Sequence, residues 1–204
     1  MRTWRMLVFV AAIALLTACS PPGADPAAPT PSPSDSWELK PLAGKYDPAE
    51  MADSVRTRSA EAGVNPVLVM AILYNESYKP HDPDLERAWL KYDPDSSLGI
   101  ANMHEAAFED VKRDRPFADR SWQELPDDRD LAVRAAAWYL HDLSASLPGD
   151  VSGAYTRDEL LALGYNAGPG NMRAYADGGQ PASSVRGYLE KLRANWGKAT
   201  EAVG

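Results

Sequence analysis

One stretch constrains the fold more than any other: Val67-Leu68-Val69-Met70-Ala71-Ile72-Leu73, apolar without a break, running on through Tyr74 and Asn75 to Glu76 and Ser77. Asn65 and Pro66 stand before it, the first a helix-capping residue type and the second suited to a first helical turn. The spacing predicts a helix from Pro66 to about Glu76. A helix apolar on every face must be buried on every side, so the remaining chain has to wrap around it. Burying Glu76 at its end is costly unless the acid is neutral or put to use. Desolvation and the partial negative charge of a helix C-terminus both favour the uncharged form. A carboxylic acid kept protonated near neutral pH is what cleavage of a glycosidic bond needs.

Length and charge bound the setting. At 204 residues the chain fits one domain with appendages, and its net charge of -8 argues against a nucleic-acid partner. No cluster of Lys or Arg reads as a lipid-headgroup or phosphate site. A single cysteine, Cys19, rules out an intrachain disulfide. His81, His104 and His141 are scattered without metal-ligand spacing and read as surface or packing residues, so neither a metal nor a cofactor is expected.

The first segment reads as an address. Arg2 and Arg5 form a positive end, and Met6 to Leu16 is an apolar run too short to span a bilayer. Leu16-Thr17-Ala18-Cys19 resembles the bacterial lipobox, in which Cys19 becomes the lipidated first residue of the mature protein. Two acyl chains on Cys19 suffice for stable anchoring. Ser20 to Ser36, rich in Pro, Ala and Ser, reads as an extended, disordered tether. The expected organisation is therefore a lipoprotein signal peptide over residues 1–18, a lipidated cysteine and tether over 19–36, and a folded domain over 37–204. An exported domain held at the outer face of a membrane points to a substrate in the cell envelope.

Within the folded part, Asp47-Pro48-Ala49-Glu50 predicts a helix start, and Gly63 a stop after about Ala62. Tyr78 to Ser97, broken by Pro80, Pro83 and Pro94, reads as loop with a short helix around Trp89. A helix is expected from Asn102 or Met103 to about Val111, then a connector framed by Pro116 and Pro126. Asp128 to Ser146 reads as a long helix on the spacing of Ala136, Leu140, Leu143 and Leu147. Thr156 and Glu159 form a capping box that opens a helix through Tyr165, ended by Gly168, Pro169 and Gly170. A last helix carries Val185, Tyr188, Leu189, Leu192 and Trp196. No segment alternates with period two, so the fold class is all-α.

Three segments then line up in order: Glu76-Ser77, Ser97-Leu98-Gly99-Ile100-Ala101-Asn102-Met103, and Gly164-Tyr165-Asn166-Ala167-Gly168-Pro169-Gly170. Together with Tyr188 in the last helix they resemble the soluble lytic transglycosylase domain, a lysozyme-like helical domain related to goose-type lysozyme. The resemblance covers about Asn65 to Trp196. One departure stands out: Asn102 occupies the position where that family usually has Gln, and Ala101 replaces Met. The shorter amide implies a substrate contact that is altered or bridged by water.

The resemblance implies a reaction: cleavage of the β-1,4 bond between N-acetylmuramic acid and N-acetylglucosamine in peptidoglycan, ending in a 1,6-anhydro sugar. Glu76 is then the single acid and base, the substrate's own N-acetyl group standing in for a second carboxylate. Tyr165 orients Glu76 or substrate, or is a core aromatic. Asn166 binds an N-acetyl group, or caps its own turn. Asn102 contacts substrate, and Tyr188 lines the cleft or belongs to the helix's apolar stripe. Gly168 and Gly170 read as turn formers and Ser77 as a local hydrogen-bonding residue. The expected partners are peptidoglycan glycan strands and, through Cys19, a membrane. Two rivals remain: a muramidase using Asp93 or Asp95 as a second carboxylate, and a glycan-binding scaffold without activity. Calcium binding by the Asp-Pro-Asp loops carries little weight, since they lack EF-hand spacing.

Overall fold

Asp47 caps the start of the described chain, its side chain accepting from the Ala49 amide at 3.1 Å. The turn it opens is not yet α-helical: Pro48–Met51 form a 3-10 turn, and α1 (Ala52–Ala62) follows, closed by Gly63 in the left-handed conformation. The coordinates are a computed structural model that describes residues 46–151 and 153–204. The leader, Cys19 and the tether lie outside the described residues.

The apolar run forms α2 (Pro66–Glu76), with Asn65 accepting from the Val67 amide at 3.0 Å. Every residue from Leu68 to Glu76 is buried. Fully burying one of these aliphatic side chains contributes ~1.5–3 kcal/mol, so the run as a whole contributes strongly to core stability. The remaining helices are α3 (Pro83–Trp89), α4 (Glu105–Val111), α5 (Arg129–Ala145), α6 (Arg157–Ala167), α7 (Pro169–Ala176) and α8 (Ser183–Val203). Among the described residues there is no strand, only an isolated antiparallel bridge between Leu98 and Met103. The all-α fold class expected from the sequence is what the chain adopts.

α2 packs most extensively on α8, with α1 alongside and α5 and α6 also in contact. The amphipathic α8 buries Leu189, Leu192, Ala199 and Val203. α1 and α5 are joined by a polar seam. Arg58 clamps Asp130, with Nη2 to Oδ2 at 2.5 Å, and Arg134 donates to Glu61 Oε1 at 2.5 Å. Trp138 donates to the same Glu61 oxygen at 3.2 Å. Burial alone would raise the Glu61 carboxyl, but hydrogen bonds from Arg134, Arg58 and Trp138 together hold it below its usual range. Asp130 behaves alike: burial opposes, and the bonds from Arg58 and Ser54 prevail.

Two boundaries differ from the sequence reading. The helix expected from Asn102 or Met103 starts at Glu105, because residues 98–103 form a tight turn instead. The capping box at Thr156 forms, but its helix does not end the segment. Pro169 opens α7 directly after Gly168, with Pro in the first helical turn where its missing N–H is harmless. Gly170 therefore lies inside a helix and is not a turn former. Gly164 is the residue that lets α7 fold back on α6: a Cβ there would stand 2.7 Å from Met172 Sδ.

Candidate active site

Glu76, at the end of α2, is 8 % exposed. Its Oε2 accepts from Asn102 Nδ2 at 2.9 Å, and its Oε1 accepts from the Tyr188 hydroxyl at 2.9 Å. Both donors are neutral. Among the described residues no Arg, Lys or His forms an ion pair with Glu76. An acid buried for structural reasons would need such a partner to offset its desolvation. Glu76 instead stands between two groups that orient it without neutralising it.

Three elements deliver these donors. The first is the turn of residues 98–103, closed by paired backbone bonds between Leu98 and Met103 at 3.0 Å each and by the Asn102 amide to the Gly99 carbonyl at 2.9 Å. Gly99 has φ +71, and a Cβ on it would stand 2.8 Å from the Leu125 carbonyl oxygen, so only glycine fits. Asn102 has φ +47, a left-handed conformation that Asn tolerates better than most residues. That conformation carries the amide back to α2, where Nδ2 also donates to the Glu76 carbonyl at 3.1 Å. The shorter side chain expected to lose reach therefore binds Glu76 directly. Asn102 Oδ1 is buried with no hydrogen-bond partner among the described residues.

The second element is α6, which brings Tyr165 to the same turn. Its hydroxyl donates to the Ala101 carbonyl at 2.7 Å, and its ring meets Tyr139 edge-on at 5.5 Å. Tyr165 thus holds the turn that holds Asn102, and makes no hydrogen bond to Glu76. Burial first, then the Glu76 carboxylate, pushes the Tyr165 phenol well up. Asn102, Tyr139 and Tyr165 line a small depression of about 70 Å³ with Met103, His104 and Ala107. Asn166, one residue on, is exposed and sits outside this hydrogen-bonded cluster.

The third element is α8. Asn75, buried beside Glu76, donates to the Tyr188 carbonyl at 3.0 Å and accepts from Asn195 Nδ2 at 2.9 Å. These bonds fix the register of α8 on α2 and so place the Tyr188 hydroxyl on Glu76. The Tyr188 phenol is also pushed well up, by burial and then by the Glu76 carboxylate.

Sequence reasoning missed a fourth support. His81 is buried and lies between Glu86 Oε1, 2.9 Å from Nδ1, and the Glu76 carbonyl, 3.2 Å from Nε2. Glu86 Oε2 accepts from the Gly99 amide at 2.7 Å, which ties α3 to the turn as well. The signal was hidden because residues 78–97 read as loop. Tyr46, edge-on to His81 at 5.4 Å, has a buried hydroxyl without a partner among the described residues. Burial pushes that phenol up against the opposing pull of Arg129.

The other sequence candidates are placed as follows. Ser77 Oγ donates to the Tyr74 carbonyl at 2.9 Å, a local bond. Asp93 accepts from Ser96 Oγ at 3.0 Å within its own turn, and both Asp93 and Asp95 are exposed.

The result is a buried acid on an apolar helix, held by a glycine-led turn and by a tyrosine from the last helix. The sequence matches the family described as the transglycosylase SLT domain over residues 53–182. The chain belongs to that family. No curated protein matches it. The matched span runs from α1 to the start of α8 and takes in Glu76, Asn102 and Tyr165, whereas Tyr188 lies just beyond it. Membership in the SLT family supports lytic transglycosylase-type activity, with peptidoglycan as the substrate class.

Proposed function

We propose that this protein is a membrane-anchored lytic transglycosylase that cleaves the β-1,4 bond between N-acetylmuramic acid and N-acetylglucosamine, with Glu76 as its single acid and base. The observation that carries the reading is the surroundings of Glu76: a buried carboxyl held by neutral donors and, among the described residues, by no cation. Asn102 is a fixed donor to Oε2, so the proton of the neutral acid belongs on Oε1. Tyr188 faces Oε1 with a hydroxyl, which can accept from the acid or donate to the carboxylate as the proton leaves and returns.

The steps follow. Glu76 gives its proton to the glycosidic oxygen as the bond from that oxygen to muramic C1 breaks. The substrate's N-acetyl carbonyl oxygen stabilises the cation at C1. Glu76, now a carboxylate held by Asn102 and Tyr188, takes the proton of the muramic C6 hydroxyl. That oxygen closes on C1, giving a 1,6-anhydro end and returning Glu76 to its acid form without consuming water. The orphaned Asn102 Oδ1 suits an N–H or O–H from the sugar, which would offset an unsatisfied acceptor costing about 1–3 kcal/mol. Tyr165 acts at one remove, by holding the turn. The lipid anchor at Cys19, the tether over residues 19–36 and the location on the outer face of a membrane belong to this proposal on the sequence alone.

The muramidase reading draws less support, since Asp93 is engaged in its own turn. A scaffold without activity has no use for a buried acid lacking a counter-ion. The test is Glu76→Gln, which keeps shape and loses the proton. Release of soluble muropeptides should fall by about 10²–10⁴-fold while glycan binding persists. Undiminished release would remove Glu76 from its role.

A further inference from the structure

Besides the two donors on its carboxyl, Glu76 is held through its backbone. Its carbonyl is one of the acceptors a helix leaves open at its C-terminal end. It lies 2.8 Å from the Tyr78 amide, 3.1 Å from Asn102 Nδ2 and 3.2 Å from His81 Nε2. The other ring nitrogen of His81 is 2.9 Å from Glu86 Oε1, and Glu86 Oε2 accepts from the Gly99 amide at 2.7 Å. One carboxyl on α3 therefore grips both sides of the site: the end of α2 through His81, and the turn of residues 98–103 directly. The His81 side chain is 1 % exposed and that of Glu86 9 %. Among the described residues no Lys or Arg forms an ion pair with Glu86.

A carboxyl this enclosed is costly, and closing a helix end does not call for one, since water or a tightened last turn suffices. The backbone gives a second sign. His81 has φ +52 and Asn102 φ +47, a left-handed region few non-glycine residues adopt, and the two side chains meet at the same carbonyl. Such conformations persist where the surroundings impose them, and they gather at functional sites. A shift of the turn would carry Asn102 away from the Glu76 carboxyl, and a shift at the end of α2 would move the root of the Glu76 side chain.

Resting on the reading of Glu76 as the acid, we propose that His81 and Glu86 are positioning residues for the reaction: Glu86 sets the turn that carries Asn102, and His81 sets the backbone from which the Glu76 carboxyl projects. A group that must deliver a proton to one oxygen tolerates little displacement, and about 1 Å of misplacement can cost about a hundredfold in rate. The holding is done by hydrogen bonds, so an amide suffices at position 86. Its oxygen accepts from Gly99, and its NH2 donates to His81 Nδ1 while Nε2 donates to the Glu76 carbonyl.

The experiment measures kcat and KM for muropeptide release from purified peptidoglycan by the full chain. Wild type is compared with Glu86→Ala, Glu86→Gln, His81→Asn, Asn102→Gly, and Glu86→Ala combined with Asn102→Gly, with circular dichroism and urea midpoints as checks on folding. Glu86→Ala should lower kcat of the folded protein about ten- to a hundredfold with KM within about twofold, and Glu86→Gln should stay within about threefold of wild type. His81→Asn keeps a residue that tolerates left-handed backbone but is too short to bridge, and should lower kcat about tenfold or more. The double variant should lose less than the product of the two single losses, because Glu86 acts in part through Asn102. Unchanged kcat in Glu86→Ala and His81→Asn overturns the proposal. So does Glu86→Gln as poor as Glu86→Ala, or a double variant whose losses multiply. Should Glu86→Ala fail to fold, His81→Asn decides. The reading beneath is separated by Glu76→Gln. No wild-type release, or release that survives Glu76→Gln, overturns that reading and this one with it; release lost in Glu76→Gln but intact in Glu86→Ala and His81→Asn overturns the positioning roles alone.

Discussion

At the scale of single residues, Glu76 and the two donors on its carboxylate divide the work. Asn102 fixes one oxygen, and Tyr188 serves the other through a hydroxyl that can reverse its role. Tyr188→Phe keeps the ring and removes that service. A hydrogen bond to a charged group is worth about 1.5–3 kcal/mol, so kcat should fall roughly ten- to a hundredfold with KM little changed. A steady-state comparison on one glycan substrate decides; a change confined to KM would make Tyr188 a binding group only. The wild-type phenol, pushed up by burial and by the carboxylate, should remain a donor up to and beyond the usual phenol range near about pH 10. Glu76 was legible in the sequence because a lone acid on an apolar helix is anomalous. The contact between Asn102 and Glu76 was not, because it depends on a left-handed φ at Asn102 that residue type permits but does not announce.

Among elements, the decisive contact is α2 against α8, and Asn75 is its polar pin. Asn75→Ala removes the bonds to the Tyr188 carbonyl and from Asn195, leaving buried groups unpaired. Stability should drop by about 1–3 kcal/mol in urea unfolding. Activity should drop further than the unfolded fraction explains, because Tyr188 loses its register; activity tracking stability alone would mean the register is set elsewhere. Helix cores and caps were readable here: Asn65, Thr156 and Asp128 all cap as their residue types suggest. What escaped reading was α7 and the use made of α3. Gly168-Pro169-Gly170 looked like a terminator, yet a proline ends one helix and starts the next equally well. The His81 and Glu86 strap joins residues five apart to a turn further along the chain, a tertiary relation without local periodicity.

At the scale of the described residues together, α8, α1, α5 and α6 pack on α2, and the seam between α1 and α5 is electrostatic. Glu61 and Asp130 are held below their usual carboxyl range by Arg134 and Arg58. A carboxyl depressed in the folded state stabilises above its unfolded range and loses that contribution as pH falls through its folded value. Glu61→Gln should therefore destabilise the protein at neutral pH, and the difference from wild type should shrink as pH falls below about 4. Urea midpoints across that interval measure it; a constant difference would mean that packing, and not charge, is what Glu61 supplies. The central claim concerns chemistry and is tested most directly on products. Purified peptidoglycan incubated with the protein is analysed by mass spectrometry of the released muropeptides. Species with 1,6-anhydro ends, lighter by one water than hydrolytic products, are the predicted result. Reducing muramic acid ends would contradict it, and would require a positioned water beside Glu76 in place of the substrate's own C6 hydroxyl.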